Sequence, residues 1–205
     1  MSMHNAVVNE TGLDTWVRLA SKGAANAITS LSRLVGHEVD VISLSARPVL
    51  VKDAASLLGG PETRTVGIYL GVTGSAAAHV LIVYQPKTAQ GLVEILLDSA
   101  PGSTDLQGEM EQSVLGEVGN IMGSSFLATL ADASGLDLRV SPPAVMMDMA
   151  GAILDAALAE IMGETDVAPI VETVFDIRGR KVEGSFLVLP SRSLQVALVN
   201  CRNMP

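Results

Sequence analysis

The sequence predicts a mixed α/β (α+β) fold, in which two similar helix-plus-strand halves share one sheet and pack helices on it. Three observations carry this expectation. Long segments with apolar residues at helical spacing alternate with shorter runs rich in β-branched residues. A shift of 99 residues places Glu117 on Arg18, Asn120 on Ser21, Gly135 on Gly36, Leu138 on Val39 and Val140 on Val41, while Val80–Tyr84 echoes Phe186–Pro190. Between the halves lies Asp98–Thr104, where Ser99-Ala-Pro-Gly-Ser103 is dense in turn formers. Apolar strands resemble one another by chance, so the repeat draws its weight from this linker. The expectation is one domain over residues 1–205, with internal repeats at about 13–97 and 105–200.

The elements follow in order. Residues 1–12 have no clear period and are expected as a lead-in. Leu13–Val35 reads as a helix stopped by Gly36. His37–Val51 alternates, with Val39, Val41, Ser43 and Ser45 expected on one face of a strand and Asp40, Ile42 and Leu44 on the other. Lys52–Arg64 reads as a connection with a helical turn near Ala54–Leu58. Thr65–Val72 and Ala76–Tyr84 read as a hairpin around Thr73-Gly74-Ser75, and Pro86 opens a helix to about Leu97. A long helix ends near Gly135. Leu136–Met147 reads as a strand broken by Pro142-Pro143, because two prolines cannot both donate to a ladder. Asp148 is expected to open a helix to about Met162, buried through Ala150, Ile153, Leu154, Ala157, Leu158 and Ile161. Asp166–Ile177 and Val182–Leu189 read as a second hairpin around Arg178-Gly179-Arg180, and residues 193–200 fit either a strand or a helix.

Composition narrows the function classes. The chain is 48% hydrophobic but only 3% aromatic, so aliphatic residues and Met must fill its interior. A net charge of −9 argues against nucleic acid and anionic membranes, both of which call for clustered Lys and Arg. No run reaches the roughly 18 uninterrupted apolar residues of a membrane helix, and no signal peptide is expected. A single cysteine, Cys201, fits a reducing, cytoplasmic setting. His4, His37 and His79 lack ligand spacing, so no metal site is expected.

The informative stretch is Glu109–Leu130. At about 100° per residue, Ser113, Glu117, Asn120 and Ser124 fall within about 60° of one another. Leu115, Val118, Met122 and Phe126 make the opposite, apolar face. Glycines within the helix cost about 1 kcal/mol each relative to Ala. Small residues at Gly116, Gly123 and Ser124 therefore suggest that something approaches closely, and a flat face with two polar tips suits another molecule's groove.

Ser113-x-x-x-Glu117-x-x-Asn120, with Pro143 downstream, resembles the active-site signature of the CheC/FliY/CheX family, phosphatases of the phosphorylated chemotaxis response regulator CheY. Leu115–Gly123 is similar to the family's central helix, and Ala131-Asp132, Pro142-Pro143, Asp148-Met149, Val171-Glu172-Thr173 and Leu189-Pro190 extend the likeness, which is nearest to CheC. The resemblance implies a protein aspartyl-phosphate phosphatase. Asn120 would orient the attacking water and Glu117 would pair with the regulator's own lysine. Mg²⁺ is expected on the receiver domain, with no cofactor on this chain. Ser113 would steady the Glu117 carboxylate, touch the partner or stand by, and Pro143 would set the site's shape.

CheC proteins commonly carry the pair on both equivalent helices, and here the first half departs. Asp14, Arg18 and Ser21 stand where Ser113, Glu117 and Asn120 stand in the second half. Arg18 would face the partner's lysine with like charge, which costs several kcal/mol, and a reach error of about 1 Å at Ser21 can cost ~10²-fold. One working site and one degenerate site are expected. The resemblance also implies the receptor deamidase CheD as a partner in systems that have both. It leaves an alternative: a non-catalytic binding or regulatory module of the kind seen in the middle domain of the switch protein FliM.

Overall fold

A computed structural model describes residues 10–159 and 166–200. In chain order these form α1 (Glu10–Val35), β1 (Val39–Leu50), a 3₁₀ turn (Val51–Asp53), α2 (Ala54–Leu57), β2 (Arg64–Gly74), β3 (Ala78–Tyr84) and α3 (Pro86–Leu96). There follow α4 (Glu109–Ser134), β4 (Leu138–Val140), β5 (Ala144–Met149), α5 (Ala150–Ala159), β6 (Val167–Ile177), β7 (Arg180–Pro190) and α6 (Arg192–Asn200). Helix accounts for 46% and antiparallel strand for 34% of the fold, the mixed class the sequence predicts.

The strands form one antiparallel sheet in the order β1-β6-β7-β3-β2-β4, with β5 also paired to β2. Exchanging the halves leaves that order unchanged, with β1 equivalent to β4 plus β5, β2 to β6, and β3 to β7. Each half's first strand therefore leaves its own hairpin and joins the other half's. The register repeats as well. Leu50 faces Val167 and Val49 faces Ala168, while the equivalent Met149 faces Arg64 and Asp148 faces Thr65. At the centre, Ala78 faces Pro190 and Tyr84 faces Gly184, so the β3–β7 register maps onto itself.

Period-two alternation gives the sheet two buried faces. Val80, Ile82, Tyr84, Ile68, Leu70, Phe175 and Phe186 join the apolar stripes of α1 and α4. Leu81, Val83, Ile170, Leu187 and Leu189 pack beneath α2 and α5. The two 26-residue helices lie in contact, and their ends differ by the same 99 positions as the sequence repeat. They are tied where equivalent positions meet, with the Ser125 hydroxyl donating to the Asn26 carbonyl (3.1 Å) and the Asn26 amide donating to Thr129 Oγ1 (3.0 Å). By length and composition α4 could cross a membrane, but half of its apolar window is buried inside the protein.

Three expectations change and one open alternative is decided. Residues 10–12 belong to α1, and residues 1–9 lie outside those described. In β1 the register slips between Val41 and Ser43, leaving Ile42 as a bulge. Beyond it the side-chain parity flips, so Leu44 and Ala46 join Val39 on the helix-covered face. Asp148 does not start a helix. The ladder to β2 continues through Met149, and α5 begins at Ala150, with Ile161 and Met162 outside the described residues. The last segment is a helix, α6, seated on the core through Leu194.

Candidate functional site

The candidate site is built on α4. Gly108 enters the helix in extended conformation, and Glu109 and Glu111 lie in the first turn, where negative charge is favoured. Gly135 closes it at φ 67°, with its N–H bonded to the Ala131 carbonyl at 2.8 Å. The apolar side is sunk into the core: Leu115, Val118, Met122 and Phe126 are fully buried. Met122 also accepts a hydrogen bond from the Tyr84 hydroxyl at 3.4 Å, and burial pushes that phenol's pKa well up.

Ser113, Glu117, Asn120 and Ser124 are all exposed, on the side of α4 away from that core. Among the described residues, Glu117 and Asn120 engage no other side chain, and Ser113 makes no hydrogen bond to Glu117. A shallow, open depression is lined by Ser113, Gly116, Glu117 and Asn120 on the helix and by Ser141 to Pro143 on the facing connection. The carboxylate and carboxamide thus project over a low wall and can enter a groove on another molecule.

The wall follows from the prolines. Val140 pairs with Val72 and Ala144 with Tyr69, so four residues span what three span on β2, the same one-residue excess that makes the Ile42 bulge. Pro142 and Pro143 have no N–H to donate, and the strand splits into β4 and β5 at this point. Ser141 fastens the break. Its N–H bonds the Gly71 carbonyl (2.8 Å), and its hydroxyl accepts from the Gly71 N–H (3.0 Å). Pro143 leans on the helix, 3.3 Å from where a Cβ on Gly119 would stand and 3.9 Å from one on Gly116.

That contact corrects the reading of the helix glycines. Gly123 is buried, and a Cβ there would fall 2.7 Å from Leu70; one on Gly119 would fall 2.3 Å from Ile68. The close approach they permit is by β2 within the chain. Only Gly116 opens on the depression. Ser141 was missed in the sequence, because it is singled out only by the structure, as the position equivalent to the Ile42 bulge under the 99-residue shift.

In the first half, Asp14 and Arg18 are exposed and Ser21 is half-buried on α1. Val17 stands in place of Gly116, and Ile42, 51% exposed, in place of Ser141. No proline pair breaks β1 beside them. Among the described residues no cluster of three His, Cys, Asp or Glu side chains could hold a metal ion.

Comparison with known proteins gives the same region. The model of the CheC-like family matches residues 110–147, the span from the start of α4 to within β5. Over that span the chain resembles the CheC-like family. The likeness extends beyond that span: the CheY-P phosphatase CheC of Bacillus subtilis is 26% identical over 179 residues, 86% of this chain and 85% of that protein. Among solved structures, FliY of Thermotoga maritima superposes with a TM-score of 0.73 at 18% identity, covering 96% of this chain and 98% of that one. A chain in the CheX–CheY–BeF₃–Mg²⁺ complex of Borrelia burgdorferi superposes at 0.54, also at 18% identity, over 86% and 97%. These structures share the fold.

Proposed function

We propose that this CheC-like chain is a protein aspartyl-phosphate phosphatase acting on a phosphorylated CheY-like receiver domain through α4 alone. The observation that carries the reading is the pair Glu117 and Asn120, exposed together beside the Pro143 wall and unengaged among the described residues. In the reaction, a water oxygen attacks phosphorus and the bond to the receiver's aspartate oxygen breaks. The aspartate leaves as carboxylate, and the water's proton passes to the inorganic phosphate. Phosphoryl transfer asks mainly for positioning and charge stabilisation. Asn120 supplies positioning, since its neutral carboxamide offers both an acceptor and a donor to a water beside a phosphoryl group. Glu117 holds the receiver by its lysine. Mg²⁺ belongs to the receiver, and such a substrate puts the chain in the cytoplasm. Residues 1–205 are read as one CheC-like unit of two repeats, the first without catalytic function.

The test is phosphate release from a phosphorylated receiver. Asn120→Ala should slow stimulated release by roughly 10²-fold or more, the scale of losing one preorganised polar group. Glu117→Ala should weaken receiver binding. Equal stimulation by wild type and Asn120→Ala would remove the site assignment.

A further inference from the structure

Beside the α4 depression lies a second open concavity, of about 670 Å³, bounded by the start of β2, the first turn of α3 and the entry to α4. The two adjoin. Gln112 lines both, and β5 runs along both, through Val145 in one and Met147 in the other. The second carries two exposed cations, Arg64 and Lys87. Two carboxylates share the lining, and each accepts a local backbone bond: Asp105 from the Gln107 N–H (3.1 Å) and Asp148 from the Met149 N–H (2.7 Å). Arg47, Arg139, Arg178 and Arg180 each have a carboxylate partner, whereas Arg64 and Lys87, like Arg18, Lys22, Arg33, Lys52 and Lys181, have none among the described residues. On a chain of net charge −9, beside a helix whose charged residues are all acidic, Arg64 and Lys87 are the cations that line the concavity adjoining the α4 depression.

We propose that Arg64 and Lys87 form a second grip on the same receiver domain, engaging an acidic patch on its surface while Glu117 holds its lysine. This inference rests on the reading of α4 as the receiver-binding face. The occupant is argued from continuity with that face and from alternation of charge: acid at Glu117, base at Arg64 and Lys87. A partner with the opposite alternation docks in one orientation only, because like charges facing each other across an interface are costly. These are specificity-determining residues. They lie outside the depression that holds Asn120 and act on docking.

The test uses the full chain and a CheY-type receiver loaded with BeF₃ and Mg²⁺, measuring Kd alongside the hydrolysis rate at saturating phosphorylated receiver. Arg64→Glu with Lys87→Glu should raise Kd about ten-fold, since two exposed pairs turn from attraction to repulsion. The saturated rate should stay within about two-fold, and the Kd difference should shrink in 0.5 M salt, by ~screening over a few Å. Arg64→Lys with Lys87→Arg should keep Kd near wild type. An unchanged Kd in the reversed variant, or equal loss in the charge-preserving one, overturns the inference. A wild type that binds the receiver without hydrolysing it removes the proposed activity and leaves this grip to stand or fall on Kd. A wild type that binds no receiver removes both.

Discussion

The faces of α1 and α4 occupy equivalent places in a duplicated fold and have diverged in three layers. The tips differ first: Asp14, Arg18 and Ser21 against Ser113, Glu117 and Asn120. The floor differs next, with Val17 against Gly116. The wall differs last, with Ile42 bulging from an unbroken β1 where Ser141 and two prolines split β4 from β5. The same backbone plan therefore presents two different faces. A one-residue excess occurs in both edge strands; in the second, Pro142-Pro143 fill it, Ser141 bonds Gly71 and it becomes one side of a depression.

The comparison can be broken by transplantation. Arg18→Glu with Ser21→Asn, placed in an Asn120→Ala background, should recover less than one tenth of the ~10²-fold lost, because floor and wall are still missing. Recovery of wild-type phosphate release would show that the tips alone suffice. The next largest effect is on stability. Gly119→Ala forces a methyl against Ile68 and should lower the unfolding free energy by about 1–2 kcal/mol, overpacking outweighing the gain in helix propensity. The equivalent first-half residue is the fully buried Ala20, and Ala20→Gly should cost about 1 kcal/mol, the helix-propensity difference. Urea titration of the two variants checks both values. Ser141→Ala leaves the Gly71 N–H without its acceptor and should cost about 1 kcal/mol. The smallest effect belongs to the α1 face: under the proposed function, Arg18→Ala with Ser21→Ala should leave stimulated phosphate release within about two-fold of wild type, and a larger drop would give a role to the first half.

The exposed row of α4 was legible because a helix has a fixed period. Once Leu115, Val118, Met122 and Phe126 are assigned inward, Ser113, Glu117 and Asn120 must point out. The linker at 98–104 and both hairpins were legible from turn chemistry. The helix glycines were misleading, since a glycine announces close approach without saying to what, and here the neighbour is β2. The β1 bulge was also invisible, because no residue type marks the point at which one extra residue enters the strand. Arg64 and Lys87 are 23 positions apart and meet at one concavity only through the sheet.

Local periodicity and residue identity are enough to say which face of α4 is polar, where the halves divide and that the first half lacks the second's acid and amide. The tertiary structure alone decided that each half's first strand pairs with the other half's hairpin, that the paired prolines stand as a wall beside Asn120, and that two distant cations share its flank. Those are contacts between residues far apart in the chain, and they are fixed by how the two halves bury one common sheet.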